Sequence, residues 1–286
     1  MNFYEIPAKT VGAGTQPTEA DGAVLDYQEM PDEMTTFSMP IIPEPEAVEG
    51  LDMAISLLAR VQSAIANYQQ GAQEEVFDLT FMDGANLALI DQILGEGEVS
   101  VVFSRTLQAR IQESVMAGIW RVRYQDGIGR TYKDTLEVGE MPGLIKDATF
   151  VGAVEAIDLP DSPLPEGVLN APPLIAELNE KSQAYASGIP AHVINLTLLP
   201  QTEQDLEFLD QLLGKGAVTI LSRGYGNCRI TSTGMQNVWW VQYFNSQDMN
   251  ILNTLEVTDV PAVACAAPED LKDSADRLKE ILEVYQ

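Results

Sequence analysis

Leu87-Ala88-Leu89-Ile90-Asp91-Gln92-Ile93-Leu94-Gly95-Glu96-Gly97 returns later in the chain as Leu206-Glu207-Phe208-Leu209-Asp210-Gln211-Leu212-Leu213-Gly214-Lys215-Gly216. The match runs from Leu87–Pro142 onto Leu206–Pro261 without a gap, at a constant offset of 119, with 18 identities in 56 positions. Strand-like positions repeat as well as helical ones. Trp120-Arg121-Val122-Arg123-Tyr124 returns as Trp239-Trp240-Val241-Gln242-Tyr243. Such self-similarity predicts an internal duplication and fixes the architecture before any function is argued.

Working outward, each copy reads as one α+β unit. Ala54, Leu58, Val61, Ile65 and Tyr68 recur at helical spacing, which predicts a helix over 51–68 that stops at Gly71. Phe77, Leu79 and Phe81 alternate and predict a strand over 76–82, followed by a helix over 84–94. Strands are expected over 99–105, 112–124 and 131–138. The unit is therefore helix, strand, helix, three strands, mainly as antiparallel sheet. The second copy repeats it from a helix over 174–186 and a strand over 192–199, with Thr202 and Asp205 resembling a capping box.

The expected organisation has five parts. Residues 1–49 form an acidic, turn-rich extended arm, 50–151 the first repeat and 152–173 a proline-rich acidic junction. Residues 174–266 form the second repeat and 267–286 a C-terminal amphipathic helix. Pro268, Glu269 and Asp270 suit that helix's first turn, and Leu271, Ala275, Leu278, Leu282 and Tyr285 form its apolar face. It has no counterpart after the first repeat and is expected to pack across the pair.

Composition narrows the function. The net charge of −27 repels phosphate backbones and argues against nucleic-acid binding. It suits either plain solubility or attraction of a basic partner. No run approaches a membrane span, and Met1–Lys9 lacks the pattern of a signal peptide, so a cytoplasmic location is expected. Two separated cysteines, Cys228 and Cys265, form no metal or disulfide framework.

Catalytic signals are weak. Gly95-Glu96-Gly97 and Gly214-Lys215-Gly216 follow helices instead of strands, so they read as helix stops, not phosphate loops. His192 is the single histidine and has no suggestive neighbours. The expectation is a non-enzyme without metal or cofactor. Arg121 and Arg123 stand opposite the apolar face of their strand, either neutralising nearby carboxylates or recognising a partner's. Gly224-Tyr225-Gly226-Asn227-Cys228-Arg229 occurs in one copy only and predicts a hairpin or bulge. Partner-binding candidates are Arg121, Arg123, Gly224, Tyr225, Gly226, Glu269, Asp270, Asp273 and Arg277. Positions shared by both copies read as scaffold, so any grip on a partner is expected in the unshared parts.

These strings in this order resemble the HupH/HyaF family of hydrogenase expression proteins. The resemblance rests on Gly14-Thr15-Gln16-Pro17, Leu94 to Val101, Gly118 to Arg123, Ile194-Asn195-Leu196-Thr197, Gly224-Tyr225-Gly226 and Ala266 to Leu271. Asp273-Ser274-Ala275 and Arg277-Leu278 complete it. It implies a chaperone-like accessory role in maturing membrane-bound [NiFe] uptake hydrogenase. The implied client is the iron–sulfur small-subunit precursor with its twin-arginine leader, and a thioredoxin-like companion works beside the protein. The alternatives are a redox or enzymatic factor using Cys228 and an adaptor bridging other maturation proteins.

Overall fold

Periodicity, caps and glycine stops build the elements. The computed structural model describes residues 42–223 and 226–285; residues 1–41 of the expected arm, with Gly224 and Tyr225, lie outside the described residues. A 3-10 turn at Pro45–Val48 leads into α1 (Asp52–Asn67), which buries Ala54, Leu58, Val61 and Ile65. Strand β1 (Glu75–Asp78) is shorter than expected. After it, Met82 N–H turns back to donate to Leu79 O at 3.0 Å. Asp83 caps α2 (Gly84–Leu94) by accepting from Ala85 and Asn86 N–H. Gly95, at φ 57°, closes that helix with its N–H on Asp91 O at 2.9 Å.

Four strands follow, not three: β2 (Val99–Ser104), β3 (Gln108–Glu113), β4 (Ile119–Gln125) and β5 (Thr131–Val138). The expected single strand over 112–124 is broken by a turn. Ser114 Oγ donates to Met116 O at 2.7 Å, and Gly118 takes φ +81°. That left-handed backbone suits glycine and reverses the chain into a hairpin. A short helix, α3 (Gly143–Ala148), was not foreseen.

The second half runs α4 (Ala171–Ala184), β6 (His192–Asn195), α5 (Glu203–Leu213), β7 (Val218–Ser222), β8 (Asn227–Ser232), β9 (Val238–Phe244) and β10 (Asn250–Val257). The expected strand over 192–199 gives way to a 3-10 turn at Leu196–Leu198. Pro172 and Pro173 lie in the first turn of α4, where no N–H is missed, so the helix begins inside the expected junction. The Thr202–Asp205 capping box is present. Asp205 is fully buried and holds two helix starts. Its Oδ1 accepts from Leu169, Asn170 and Ala171 N–H at 2.8–2.9 Å, and its Oδ2 accepts from Thr202 N–H at 3.1 Å. Burial opposes ionisation, but these four donors outweigh it and hold the carboxyl down at about 2.

All ten strands join one antiparallel sheet, in the order β1-β5-β4-β3-β2-β7-β8-β9-β10-β6. Its centre is the β2–β7 pair, where Val101 stands opposite Ile220, a separation of 119. On one face a core forms around the fully buried Trp120 and Trp239, with Val122, Val241, Met141 and Ile145. Trp120 Nε1 donates to Gly139 O at 2.9 Å and Trp239 Nε1 to Thr258 O at 3.2 Å. On the other face, α1 and α2 cover one end of the sheet; α4 and α5 cover the other.

The final helix, α6 (Pro268–Glu283), buries Leu271, Ala275, Leu278 and Leu282. It does not straddle the two halves. Its apolar face joins the core of α1 and α2, and Tyr285 Oη donates to Pro43 O at 2.9 Å. The C-terminal segment thus returns to the first half, anchored by Ala266 N–H on Glu140 O at 2.9 Å. Among the described residues no helix is long and apolar enough to cross a membrane.

Candidate functional site

The alternation of β3 turns Ala109, Ile111 and Glu113 inward, so a carboxylate occupies a core position at the strand's end. Beyond it the chain must double back tightly against the loop after α2. Gly97 N–H donates to Glu113 O at 2.7 Å, and a Cβ on Gly97 would sit 2.2 Å from Ser114 O. Gln112 Nε2 fixes the same wall by donating to the carbonyls of Gly97, Val99 and Glu113 at 3.0–3.2 Å. The turn's Gly118 N–H donates to Glu113 Oε1 at 3.1 Å. Gly118 also seats α6, because a Cβ there would lie 1.9 Å from Leu271 Cδ2.

Docking of α6 on this turn leaves a cleft of about 430 Å³. Among the described residues its walls carry Glu98, Glu113, Asp270 and Asp273 against a single cation, Arg277. Glu113 is only 7% exposed. Burial pushes its carboxyl up to about 7, Glu98 and Asp270 push the same way, and the Gly118 N–H opposes them. The first turn of α6 favours Glu269 and Asp270 electrostatically, which accounts for acids at that point but not for Glu113. A cleft with this lining can accept an ammonium or guanidinium group. Such a cation would hold Glu113 ionised and occupy acceptor capacity that Gly118 leaves open.

Three of the sequence candidates, Asp270, Asp273 and Arg277, meet in this cleft. Glu269 is exposed on the same turn but does not line it. Arg121 and Arg123 lie elsewhere, on the sheet face beneath α2. Arg121 Nε and Nη2 donate to the two oxygens of Asp134 at 2.5 and 2.7 Å, and its Nη1 pairs with Asp91. Arg123 reaches the same two carboxylates only at 3.7 and 3.9 Å. Gly226 takes φ +99° just before β8, away from the cleft lining.

Cys228 is 4% exposed, and burial pushes its thiol up to about 12. Burial does the same to Cys265. Both thiols are protonated at neutral pH and are poor nucleophiles in that state. His192 Nε2 sits 2.7 Å from Glu177 Oε1, tying β6 to α4. Among the described residues no cluster of metal-ligating side chains forms. Glu98 and Glu113 were missed from sequence. The available signal was a carboxylate at an inward position, Ala109–Ile111–Glu113, hidden by reading the strand as starting at 112.

The family described as "HupH hydrogenase expression protein, C-terminal conserved region" matches residues 52–150 and again residues 168–285. The hydrogenase expression/formation protein HoxQ of Cupriavidus necator is 45% identical over 283 residues, covering 99% of this chain and 98% of that protein. The hydrogenase expression/formation protein HupH of Rhodobacter capsulatus is 46% identical over 287 residues, covering all of both chains. The hydrogenase-1 operon protein HyaF of Escherichia coli K12 is 32% identical, covering 95% of this chain and 94% of that one. The solved structure of the hydrogenase expression protein HupH from Thiobacillus denitrificans is 30% identical, with a TM-score of 0.37, and covers 39% of this chain and 92% of that one.

Proposed function

The chain belongs to the HupH/HoxQ/HyaF family of hydrogenase expression/formation proteins, and on that premise we propose that it is a non-catalytic accessory factor that holds a hydrogenase precursor during maturation. The client of this reading is the iron–sulfur small-subunit precursor of a membrane-bound [NiFe] enzyme. The observation that carries it is the cleft at the start of α6, where four carboxylates face one arginine and Glu113 is buried. A twin-arginine leader supplies the guanidinium groups such a lining accepts. The protonated, buried thiols of Cys228 and Cys265 favour holding over redox chemistry. A thioredoxin-like companion fits the same assembly as a separate partner.

The same reading takes the chain as a duplicated unit. The constant offset of 119 supports it, as do the two stretches matched by one family description. The central register supports it too: equivalent positions Val101 and Ile220 face each other, as a local two-fold axis requires.

The test is recovery of the protein with the precursor from cells that express both, at rising salt. Co-purification that falls with salt and is lost in Asp270→Asn/Asp273→Asn supports the reading. Recovery of the protein alone at low salt overturns it. If Cys228→Ser abolishes maturation without loss of folding, the redox alternative replaces it.

A further inference from the structure

We propose that the centre of the sheet, which the described residues leave bare on the side that carries the helices, is a docking trough for an acidic amphipathic helix of a partner protein. This surface is separate from the acidic cleft and opposite to it in charge. The strand register places it. Directly opposite residues share a face, so Arg123, Arg110, Val102, Thr219 and Thr231 form one row across β4, β3, β2, β7 and β8. A second row holds Gln112, Ser100, Leu221 and Arg229. Ile119, Leu136 and Val138 lie on this side at one end, beneath α1 and α2. Val238, Leu255 and Val257 lie on it at the other, beneath α4 and α5.

Nothing in the described residues covers the middle. Val102 is 45% exposed although β2 is a central strand with neighbours on both sides. Arg110 is exposed, and Ser100, Thr219 and Leu221 are half-buried without belonging to any core cluster. The floor spans the four strands from β3 to β8, about 14 Å at the usual inter-strand spacing. An α-helix with side chains is about 10–12 Å across.

Charge identifies the occupant. In a chain of net charge −27 with nine arginines, four of them, Arg110, Arg121, Arg123 and Arg229, fall on this one face. Arg110 stands directly opposite Arg123, a like-charge pair that repels. Asp91 and Asp134 are taken first by Arg121, and Arg123 reaches them only at 3.7 and 3.9 Å. Among the described residues the Arg110 side chain has no hydrogen-bonded or ion-paired partner. A carboxylate on the incoming helix would relieve this repulsion, while an apolar residue beside it would cover Val102 and Leu221. The sheet backbone here is already paired on both sides, so recognition runs through side chains. Val102 matches Leu221 at the offset of 119, so an apolar side chain stands on each side of the β2–β7 centre, while the unpaired cation is Arg110 on the β3 side.

The probe is a fluorescein-labelled 18-residue helical peptide with leucines on one face and glutamates on the other, beside a lysine counterpart, read by anisotropy in 50 mM salt. The chain's overall charge repels the glutamate peptide, so its binding would report a local site. We expect it to bind the full protein and to weaken at least tenfold with Arg110→Glu and several-fold with Arg110→Gln. Asp270→Asn/Asp273→Asn should leave it unchanged, which separates this surface from the cleft. Circular dichroism of each variant confirms that it is folded. Absence of glutamate-peptide binding, or equal binding by Arg110→Glu, overturns the proposal. So does concentration-dependent dimerisation that Arg110→Glu abolishes, since a second copy would then own the face.

Discussion

Glu113→Gln should make the protein more stable and its client complex weaker. The side chain is 7% exposed, and its carboxyl is raised from the ordinary 4.5 to about 7. A raised carboxyl binds its proton more tightly folded than unfolded, so stability falls as pH rises from 4.5 towards 7 and is flat above. Two and a half pH units correspond to roughly 3 kcal/mol lost at pH 8 relative to a neutral side chain. Glutamine keeps the acceptor for Gly118 N–H and nearly the same shape, and it cannot ionise. Urea denaturation of both proteins at pH 5, 6, 7 and 8 reads the difference. The variant's advantage should grow by about 2 kcal/mol between pH 5 and pH 8. The raised carboxyls of Glu137 and Glu256 are common to both proteins and cancel in the comparison. A pH-independent difference, or one that shrinks as pH rises, would refute the argument that Glu113 is held neutral by burial.

Other outcomes follow from the same geometry. Asp205→Asn should cost on the order of 2 kcal/mol at pH 7, and the gap should close in acid as pH falls towards about 2, because a depressed carboxyl contributes above its unfolded value of 3.8 and loses that contribution on protonation; thermal melts across pH check it. Gly118→Ala should destabilise and loosen α6, since φ is +81° and the new Cβ would meet Leu271; hydrogen exchange should rise in α6 before α4. Leu278→Ala, at a fully buried position in α6, should cost about 2–5 kcal/mol in denaturant. Cys228→Ala should leave maturation intact in cells, given a thiol held at about 12.

Much of the fold was legible because it rests on local signals. The helical spacing of Ala54, Leu58, Val61 and Ile65, the Gly95 stop and the Thr202–Asp205 box each act within one or two turns of chain. The break between β3 and β4 was not legible. It depends on Gly118 adopting a positive φ inside a run, Gln112–Tyr124, whose composition suits a continuous strand. The docking of α6 on the first half was equally hidden, since Leu271 finds Gly118 only across 153 positions of chain.

The site was legible in part for the same reason. Asp270, Asp273 and Arg277 share one helix face and could be picked together, but Glu98 and Glu113 join them only through the tertiary fold. Arg121 is paired with Asp134 and Asp91, and Arg123 lies at 3.9 and 3.7 Å from the same two carboxylates, which sequence spacing alone does not reveal. Trp120 and Trp239 are fully buried, in keeping with their place on the apolar face of their strands.

The central claim is that the cleft receives a cation from the client and that Glu113 meets it. Burial raises this carboxyl to about 7, so near neutrality it retains a proton that an arriving guanidinium would displace. Calorimetric titration of a twin-arginine leader peptide into the protein, in buffers of different ionisation enthalpy, measures that proton directly. The account predicts release of a fraction of a proton per complex near neutral pH, with release abolished in Glu113→Gln. Binding without proton release, or with release unchanged in Glu113→Gln, would contradict it.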